Sequence, residues 1–314
     1  MKLSEFAEVP ARARGAYVAV GNFDGVHRGH ARLLARLRAR AEAAGAPAVA
    51  LTFDPPPVAL LRPEAAPAPL TWIDRRVALM ESAGASVVGV FQTGPWLLGL
   101  TAREFFDRVI LGRFGARGMV EGPTFGFGRD RGGDSDLLGS WCAEAGLGFE
   151  VATPTEAEGR IVSSSRIRQA LAEGEAAEAA ALLGRPHRIR GLITHGAGRG
   201  AGIGVPTANL DAIDTVIPAE GVYAVHAHLG PGGPPLPAAC NIGPNPTFGE
   251  QVHKVEAHLI DFAGDLYGQT LELDILARLR PTRRFAGLDD LLAQIRADVE
   301  HAREVCSRRR GTGP

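Results

Sequence analysis

The chain has 314 residues, 34 Lys+Arg against 35 Asp+Glu, a formal net charge of −1, and 45% hydrophobic and 22% charged residues. That length accommodates two domains with cores of their own, and the charge balance argues against a protein that coats nucleic acid or an anionic membrane. Cys142, Cys240 and Cys306 lie far apart with no CxxC spacing, so no disulfide framework is expected and a reducing, cytoplasmic setting is.

In chain order, the first element is the apolar run Ala16-Tyr17-Val18-Ala19-Val20, short enough for a buried strand. Gly21-Asn22-Phe23-Asp24-Gly25-Val26-His27-Arg28-Gly29-His30 follows and leads into residues 31–37, where leucines and arginines take opposite sides of a helix. A strand, a glycine-bearing loop and a helix start form a phosphate cradle. Glycine lets the backbone come close, and the unbonded N–H groups of the first helical turn face an anion. His27 and His30 fall one above the other on such a helix and can both reach a phosphate chain. The pair could instead be a surface accident or part of a metal site, although no nearby Cys or third His completes a zinc set.

Further along, residues 48–53, 86–91, 118–121 and 147–151 read as strands, and residues 72–83, 102–114 and 134–145 as helices. The alternation predicts a doubly wound parallel sheet with helices on both faces. After the strand at 118–121, Phe125 and Phe127 lie on a glycine-rich loop, either as anchors in the core or as a wall for a planar ring. Thr52-Phe53-Asp54-Pro55-Pro56-Pro57 forms a rim at the same sheet edge. Val162-Ser163-Ser164-Ser165-Arg166-Ile167-Arg168 is either a simple helix cap or, with its arginines, a grip for a polyphosphate.

Near Gly184-Arg185-Pro186-His187 the texture changes to short β-rich runs at 221–229, 254–260 and 270–276, which predict a small antiparallel barrel. Domains at 1–185 and 186–306 are therefore expected, with a disordered tail at 307–314. A last helix carries Leu288, Leu291, Leu292, Ile295 and Val299 on one face. The glycine-rich segment 196–204 can wrap phosphates and leads to Thr207 and Asn209, which alternate onto one side of an extended segment. Their hydroxyl and amide oxygens are hard ligands of the kind a nucleotide-bound Mg²⁺ accepts. Glu256, between Val255 and Ala257, is either a solvent-facing strand residue or a base for an alcohol proton. Residues 241–249 read as a loop, over a pocket or merely a turn. The N-terminus lacks a leader-like apolar core, and no run is apolar enough to span a bilayer.

The order of these motifs resembles the bacterial bifunctional riboflavin kinase/FAD synthetase family, from about Gly15 to about Arg303. His27-x-Gly29-His30 and Ser163-Ser164-Ser165-Arg166-Ile167-Arg168 are similar to the nucleotidyltransferase superfamily. Gly198-Arg199-Gly200, Pro206-Thr207-Ala208-Asn209, Gly221-Val222-Tyr223, Val255-Glu256-Ala257-His258 and residues 261–268 are similar to the riboflavin kinase barrel. The resemblance implies an N-terminal nucleotidyltransferase-like Rossmann fold that makes FAD and a C-terminal riboflavin kinase-like barrel with a terminal helix.

It also implies two reactions: ATP phosphorylates riboflavin to FMN, and a second ATP adenylylates FMN to FAD with release of pyrophosphate. Glu256 would be the base for the riboflavin hydroxyl, and Thr207 and Asn209 would hold Mg²⁺ and ATP phosphates. His27 and His30 would steady the α-phosphate and the leaving pyrophosphate, and Ser164 and Arg166 the outer phosphates. Other implied nucleotide or flavin contacts are Gly21, Phe23, Phe125, Phe127 and Arg168 in the first half, and Gly198, Arg199, Gly200 and Arg280 in the second. The implied partners are the small-molecule substrates riboflavin, FMN and ATP, with no nucleic acid and no membrane; the oligomeric state stays open.

The chain departs from the family pattern at Thr124, where an acidic or amide residue is usual, at Ala201 in place of a base, at Val205 in place of Phe, and at Thr282 in place of Glu. Two other readings compete: a chain in which only the kinase half works, and a flavin- or nucleotide-binding regulator without turnover. The intact His27, His30, Thr207, Asn209 and Glu256 argue against the regulator.

Overall fold

A computed structural model describes residues 1–196, 204–230, 233–244 and 253–310. Its contacts divide the chain into two compact units, Met1–Pro67 with Trp72–Ser163, and Ala68–Thr71 with Ser164–Pro314.

The first unit is built on six strands in the order Lys2–Leu3, Val87–Gln92, Ala48–Asp54, Tyr17–Val20, Gly118–Glu121, Gly148–Val151. Every pairing in that sheet is parallel. The chain leaves Tyr17–Val20 toward one edge and later returns to its other side as Gly118–Glu121, so the loop after Tyr17–Val20 lies at the switch point of the sheet. Strands covered on both faces read as continuous apolar runs, which is why they are visible in the sequence. On one face Val18, Val20, Val49, Leu51 and Met119 pack with Phe105, Phe106, Val109 and Ile110. On the other, the small residues Ala19, Ala48 and Ala50 receive Leu34, Leu37 and Ala41 of the helix Arg28–Ala43. The helix expected at 102–114 is a short α-turn, Ala102–Glu104, capped by a reciprocal Thr101–Glu104 box and continued by the π-helical stretch Phe105–Arg113.

The second unit is a closed barrel in the order His187–Thr194, Ala208–Asp211, Lys254–Leu259, Leu236–Gly243, Gly221–His228, Thr270–Arg280. Alternate residues such as Ile193, Leu210, Val255, Ile242, Val225 and Leu273 fill its interior. The helices Ser164–Glu173 and Ala176–Leu183 belong with this unit: Ala176 enters the barrel core, and Ala219 N–H donates to Leu171 O at 2.9 Å. The compact units therefore divide at Ser163, before the change of texture at Gly184.

The terminal helix Leu288–Arg310 runs past the point where the tail was expected to lose order, and Arg308 pairs with Glu304 one turn back. Its buried stripe is Leu291, Asp298, Ala302 and Cys306, whereas Leu288 is exposed. At the barrel surface Arg188 forks onto Asp274 at 2.5 and 2.6 Å, and His228 joins at 2.9 Å. Burial would raise the Asp274 carboxyl, but the hydrogen bonds from His228 and Arg188 and their charge hold it at about 2.

Tyr17 crosses Gly118 and Gly148: a Cβ at Gly118 would meet the Tyr17 ring at 2.4 Å and Gly148 O at 2.7 Å. Gly118→Ala is therefore expected to destabilise the sheet unit by ~1–3 kcal/mol, the usual range for overpacking. A lowered urea midpoint for that unit's unfolding transition would bear this out, and an unchanged midpoint would refute it.

Candidate active sites

The phosphate loop has three residues in the left-handed region, Phe23 (φ 46), Gly25 (φ 82) and Val26 (φ 37). Two of them carry side chains for which that conformation is costly, and strain of this kind collects at functional loops. Burial of Phe23 and Val26 in the core under the helix Arg28–Ala43 supplies the compensation. Phe23, expected to contact a nucleotide, is only 2% exposed and sets its edge against His30, so it supports the site from beneath. Gly21 lies against the Phe23 ring and donates its N–H to Leu51 O at 3.0 Å. Thr52 Oγ1 donates to Asn22 O at 2.9 Å, a second tie from the neighbouring strand.

His27 is the cap of the helix: its Nδ1 accepts the His30 backbone N–H at 3.3 Å. The two imidazoles stack at 3.7 Å with 17° between planes. A Cβ at Gly29 would meet the His27 ring at 3.1 Å, which explains the glycine inside His27-x-Gly29-His30. His30 Nδ1 is buried and has no hydrogen-bond partner among the described residues. Burial first, then the neighbouring His27 and Arg76, lower its pKa well below the ordinary imidazole value. The resting imidazole is thus neutral and can donate or accept one hydrogen bond. An arriving phosphate, being anionic, moves the balance back toward the charged form.

Three groups at this loop escaped the sequence reading. Asp24 and Arg76 form a buried pair beneath it, 3.5 Å apart. Glu121, at the end of the adjacent strand, accepts the Val20 N–H at 2.7 Å and is 1% exposed. Burial raises the Glu121 carboxyl well above the usual range, with the Val20 hydrogen bond opposing. Of the two rings proposed as a wall, Phe127 is packed in the core beside Phe105 and Trp141, so for that ring the anchoring alternative holds. Phe125 stacks on it at 5.1 Å and remains half-buried. Arg131 donates to Thr124 O at 3.4 Å and covers Gly126.

Ser164, Arg166 and Arg168 belong to the second unit, at the start of the helix Ser164–Glu173. Arg166 is nearly buried and donates from Nε and Nη2 to Glu178 Oε1 at 3.0 and 2.8 Å. Arg168 Nε donates to Ala68 O at 3.0 Å.

On the barrel, Asn209 is the register partner of Glu256, and Glu256 is also the partner of Asn241 on the next strand. Thr194 pairs with Asn209 on the other side. Directly opposed residues point to the same face. This row therefore lies on the outer face, while Ile193, Leu210, Val255 and Ile242 fill the core. Glu256 is thus outward-facing, and it stands between two amide side chains. Thr207 and Asn209 are half-buried and alternate with the buried Ala208. His258 Nδ1 lies 2.8 Å from Pro206 O and ties down the segment that carries Thr207. A Cβ at Gly196 would fall 2.2 Å from the Asn209 amide, so a larger residue there would displace that side chain. Asn241, read as part of a loop, lies in the strand Leu236–Gly243.

Arg280 is engaged within the second unit. It donates from Nε and Nη2 to Asp298 at 2.7–3.1 Å and from Nη1 to Pro281 O, and it covers Phe285, so it holds the terminal helix. Thr282 Oγ1 is buried with no hydrogen-bond partner among the described residues. Gly198, Arg199, Gly200, Ala201 and residues 245–249 lie outside the described residues.

The family described as FAD synthetase matches residues 9–166, and the family described as riboflavin kinase matches residues 183–306. A bifunctional riboflavin kinase/FMN adenylyltransferase from Pseudomonas fluorescens is 40% identical over 295 residues, 94% of each chain. The protein of the same description from Escherichia coli K12 is 38% identical over 298 residues, again 94% of each chain. One from Bacillus subtilis 168 is 33% identical over 291 residues, 91% of this chain and 90% of that one. Among solved structures, a protein described as a macrolide-efflux protein from Streptococcus pneumoniae superposes with a TM-score of 0.84 at 31% identity, covering 96% of this chain and 98% of that one. Among the described residues, no helix is long and apolar enough to cross a membrane.

The Glu121 carboxyl carries a sign that can be tested. Its folded-state pKa lies above its unfolded value. Its contribution to stability is then fully present below the ordinary carboxylate range and is lost as pH rises through the folded-state pKa. Glu121→Gln keeps an oxygen for the Val20 N–H and cannot ionise. Urea midpoints of the sheet unit should therefore favour the variant increasingly from pH 5 to pH 8, and a constant difference across that range would contradict the assignment.

Proposed function

The chain belongs to the bifunctional riboflavin kinase/FMN adenylyltransferase family, and from that premise we propose how it converts riboflavin to FMN and FMN to FAD. The first conversion is assigned to the barrel unit and the second to the sheet unit. The observation that carries the reading is the barrel register that sets Glu256 between Asn209 and Asn241.

In the kinase step, Glu256 takes the proton of the riboflavin 5′-hydroxyl as its oxygen attacks the γ-phosphorus of ATP. The bond to the bridging oxygen breaks, and ADP leaves with the electron pair. The amides of Asn209 and Asn241 orient the carboxylate and the incoming groups. Thr207 and Asn209 offer a hydroxyl and an amide oxygen next to a single carboxylate. That donor set suits an Mg²⁺ whose other ligands are phosphate oxygens and water, and the ion would neutralise phosphate charge. His258 holds Thr207 in place through Pro206.

In the adenylyl step, an oxygen of the FMN phosphate attacks the α-phosphorus of a second ATP, and pyrophosphate leaves. The helix start at Arg28–Ala43 and the stacked imidazoles meet the charge that develops. His30 enters neutral and donates one ring N–H to the charge that develops on the pyrophosphate. Phe125 is the proposed contact for the flavin ring. All three cysteines are free and buried, as suits a reducing, cytoplasmic location.

Purified protein given riboflavin, ATP and Mg²⁺, with all three flavins followed by chromatography, tests these assignments. Glu256→Gln should lower FMN formation by about 10²–10⁴, the usual range for a lost general base, and leave conversion of supplied FMN to FAD unchanged. Loss of both conversions in the folded variant would sink the separation of sites. His30→Ala should stop the sequence at FMN, with FAD formation down about 10²–10³. An undiminished FAD rate would remove His30 from the chemistry.

A further inference from the structure

We propose that Arg76 is a positioning residue for adenylyl transfer: its guanidinium, tied to Asp24 inside the phosphate loop and to the end of the neighbouring strand, fixes the loop that carries His27 and His30. This rests on the reading that the sheet unit adenylylates FMN.

Arg76 lies on the helix Ile73–Ser82, about fifty positions from the loop, and nothing in the sequence around it marks it out. Its side chain is 4% exposed. An arginine is rarely buried to that extent unless its charge is held by partners or put to use. Nη2 reaches Asp24 Oδ1 at 3.5 Å, and Nη1 donates to Phe53 O at 3.4 Å. The guanidinium thus joins three segments: its own helix, the loop, and the strand Ala48–Asp54 just before the Pro55-Pro56-Pro57 rim. Both contacts are longer than an ordinary N–H···O hydrogen bond, so the charge of the guanidinium matters here more than close hydrogen bonding. The ties from Gly21 to Leu51 and from Thr52 to Asn22 fix the entrance of the loop with uncharged hydrogen bonds, and Arg76 adds a charged contact further along it. Asp24 stands three residues before His27, beyond those ties, within the stretch held in left-handed conformation.

Arg76 also acts on His30 through its field. The groups facing that imidazole are the His27 ring from its own helix start, the Phe23 edge from the loop, and the Arg76 charge from the helix Ile73–Ser82, with Asp24 behind it. A fixed positive charge there favours the neutral imidazole in the resting enzyme and adds to the field that receives the pyrophosphate. Its contacts are to Asp24 and Phe53, so the role assigned to Arg76 is one of geometry and protonation.

The test uses the full chain and three variants. Arg76→Met should lower kcat/KM for FAD formation by about 10², as expected when a reacting geometry slips by an ångström. It should also raise the titration midpoint of His30 in NMR spectra, and leave riboflavin phosphorylation by the same chain unchanged. Arg76→Lys, which keeps the charge without the fork, should recover part of the rate and return the His30 midpoint toward wild type. Because Arg76→Met alone strands a buried carboxylate and can unfold the unit, the double variant Asp24→Asn/Arg76→Met removes both charges together. The double variant should fold and remain deficient in FAD formation. If it makes FAD at the wild-type rate with the His30 midpoint unmoved, Arg76 is only part of the packing and the inference fails. If the wild-type chain itself makes no FAD, the assignment of the sheet unit fails instead.

Discussion

The imidazoles of His27 and His30 lie 3.7 Å apart, and that contact sets the terms for everything around the phosphate loop. Two rings at this distance cannot both be protonated cheaply, so at least one must rest neutral. Stacking also requires that the helix begin where it does, because His27 caps it and Gly29 leaves the His27 ring its space. The helix start, in turn, must sit at the end of Tyr17–Val20, the strand where the order of the sheet reverses. Strain in Phe23 and Val26, burial of their side chains and the Asp24–Arg76 pair all follow from holding this arrangement before a substrate arrives. Phosphoryl and adenylyl transfers gain most from charge that is already in place, and a preformed loop supplies it.

The barrel reaches the same end by a different route. Strand alternation fills the interior with Ile193, Leu210, Val255 and Ile242. The opposite face of the same residues' neighbours is then free to carry Thr194, Asn209, Glu256 and Asn241 in one row across adjacent strands. No loop is needed to gather these groups, because the ladder itself fixes their spacing. The segment that carries Thr207 is the less regular part, and His258 restrains it through Pro206. Each compact unit therefore builds its polar site on a rigid element whose reverse side is core.

Much of this was legible before any coordinates. The runs at 16–20 and 48–53 read as buried strands because a parallel sheet covers both faces, and the glycines and histidines of the loop announce a phosphate cradle. Glu256 stood out as a carboxylate inside an apolar alternation. What stayed hidden depends on contacts far apart in sequence. Arg76 looks like any helix charge beside Arg75 until the fold buries it. Asn241 reads as a loop residue because a glycine and prolines follow it, yet it lies within the strand Leu236–Gly243. His187–Thr194 is a strand the sequence reading omits, although Arg188 and Arg190 alternate with its buried residues. The sequence does not show that Arg280, an implied nucleotide or flavin contact, pairs with Asp298, 18 residues later in the chain. Phe127 and Phe125 are equivalent on paper, and only packing separates the core ring from the half-buried one.

The central claim is that one polypeptide holds two independent places for an ATP polyphosphate, one at a sheet switch point and one on the outside of a barrel. Calorimetric titration of the whole chain with a non-hydrolysable ATP analogue and Mg²⁺ asks this directly. Saturation at two analogues per chain is the result the account predicts. Saturation at one, with protein shown to be fully folded, would contradict it.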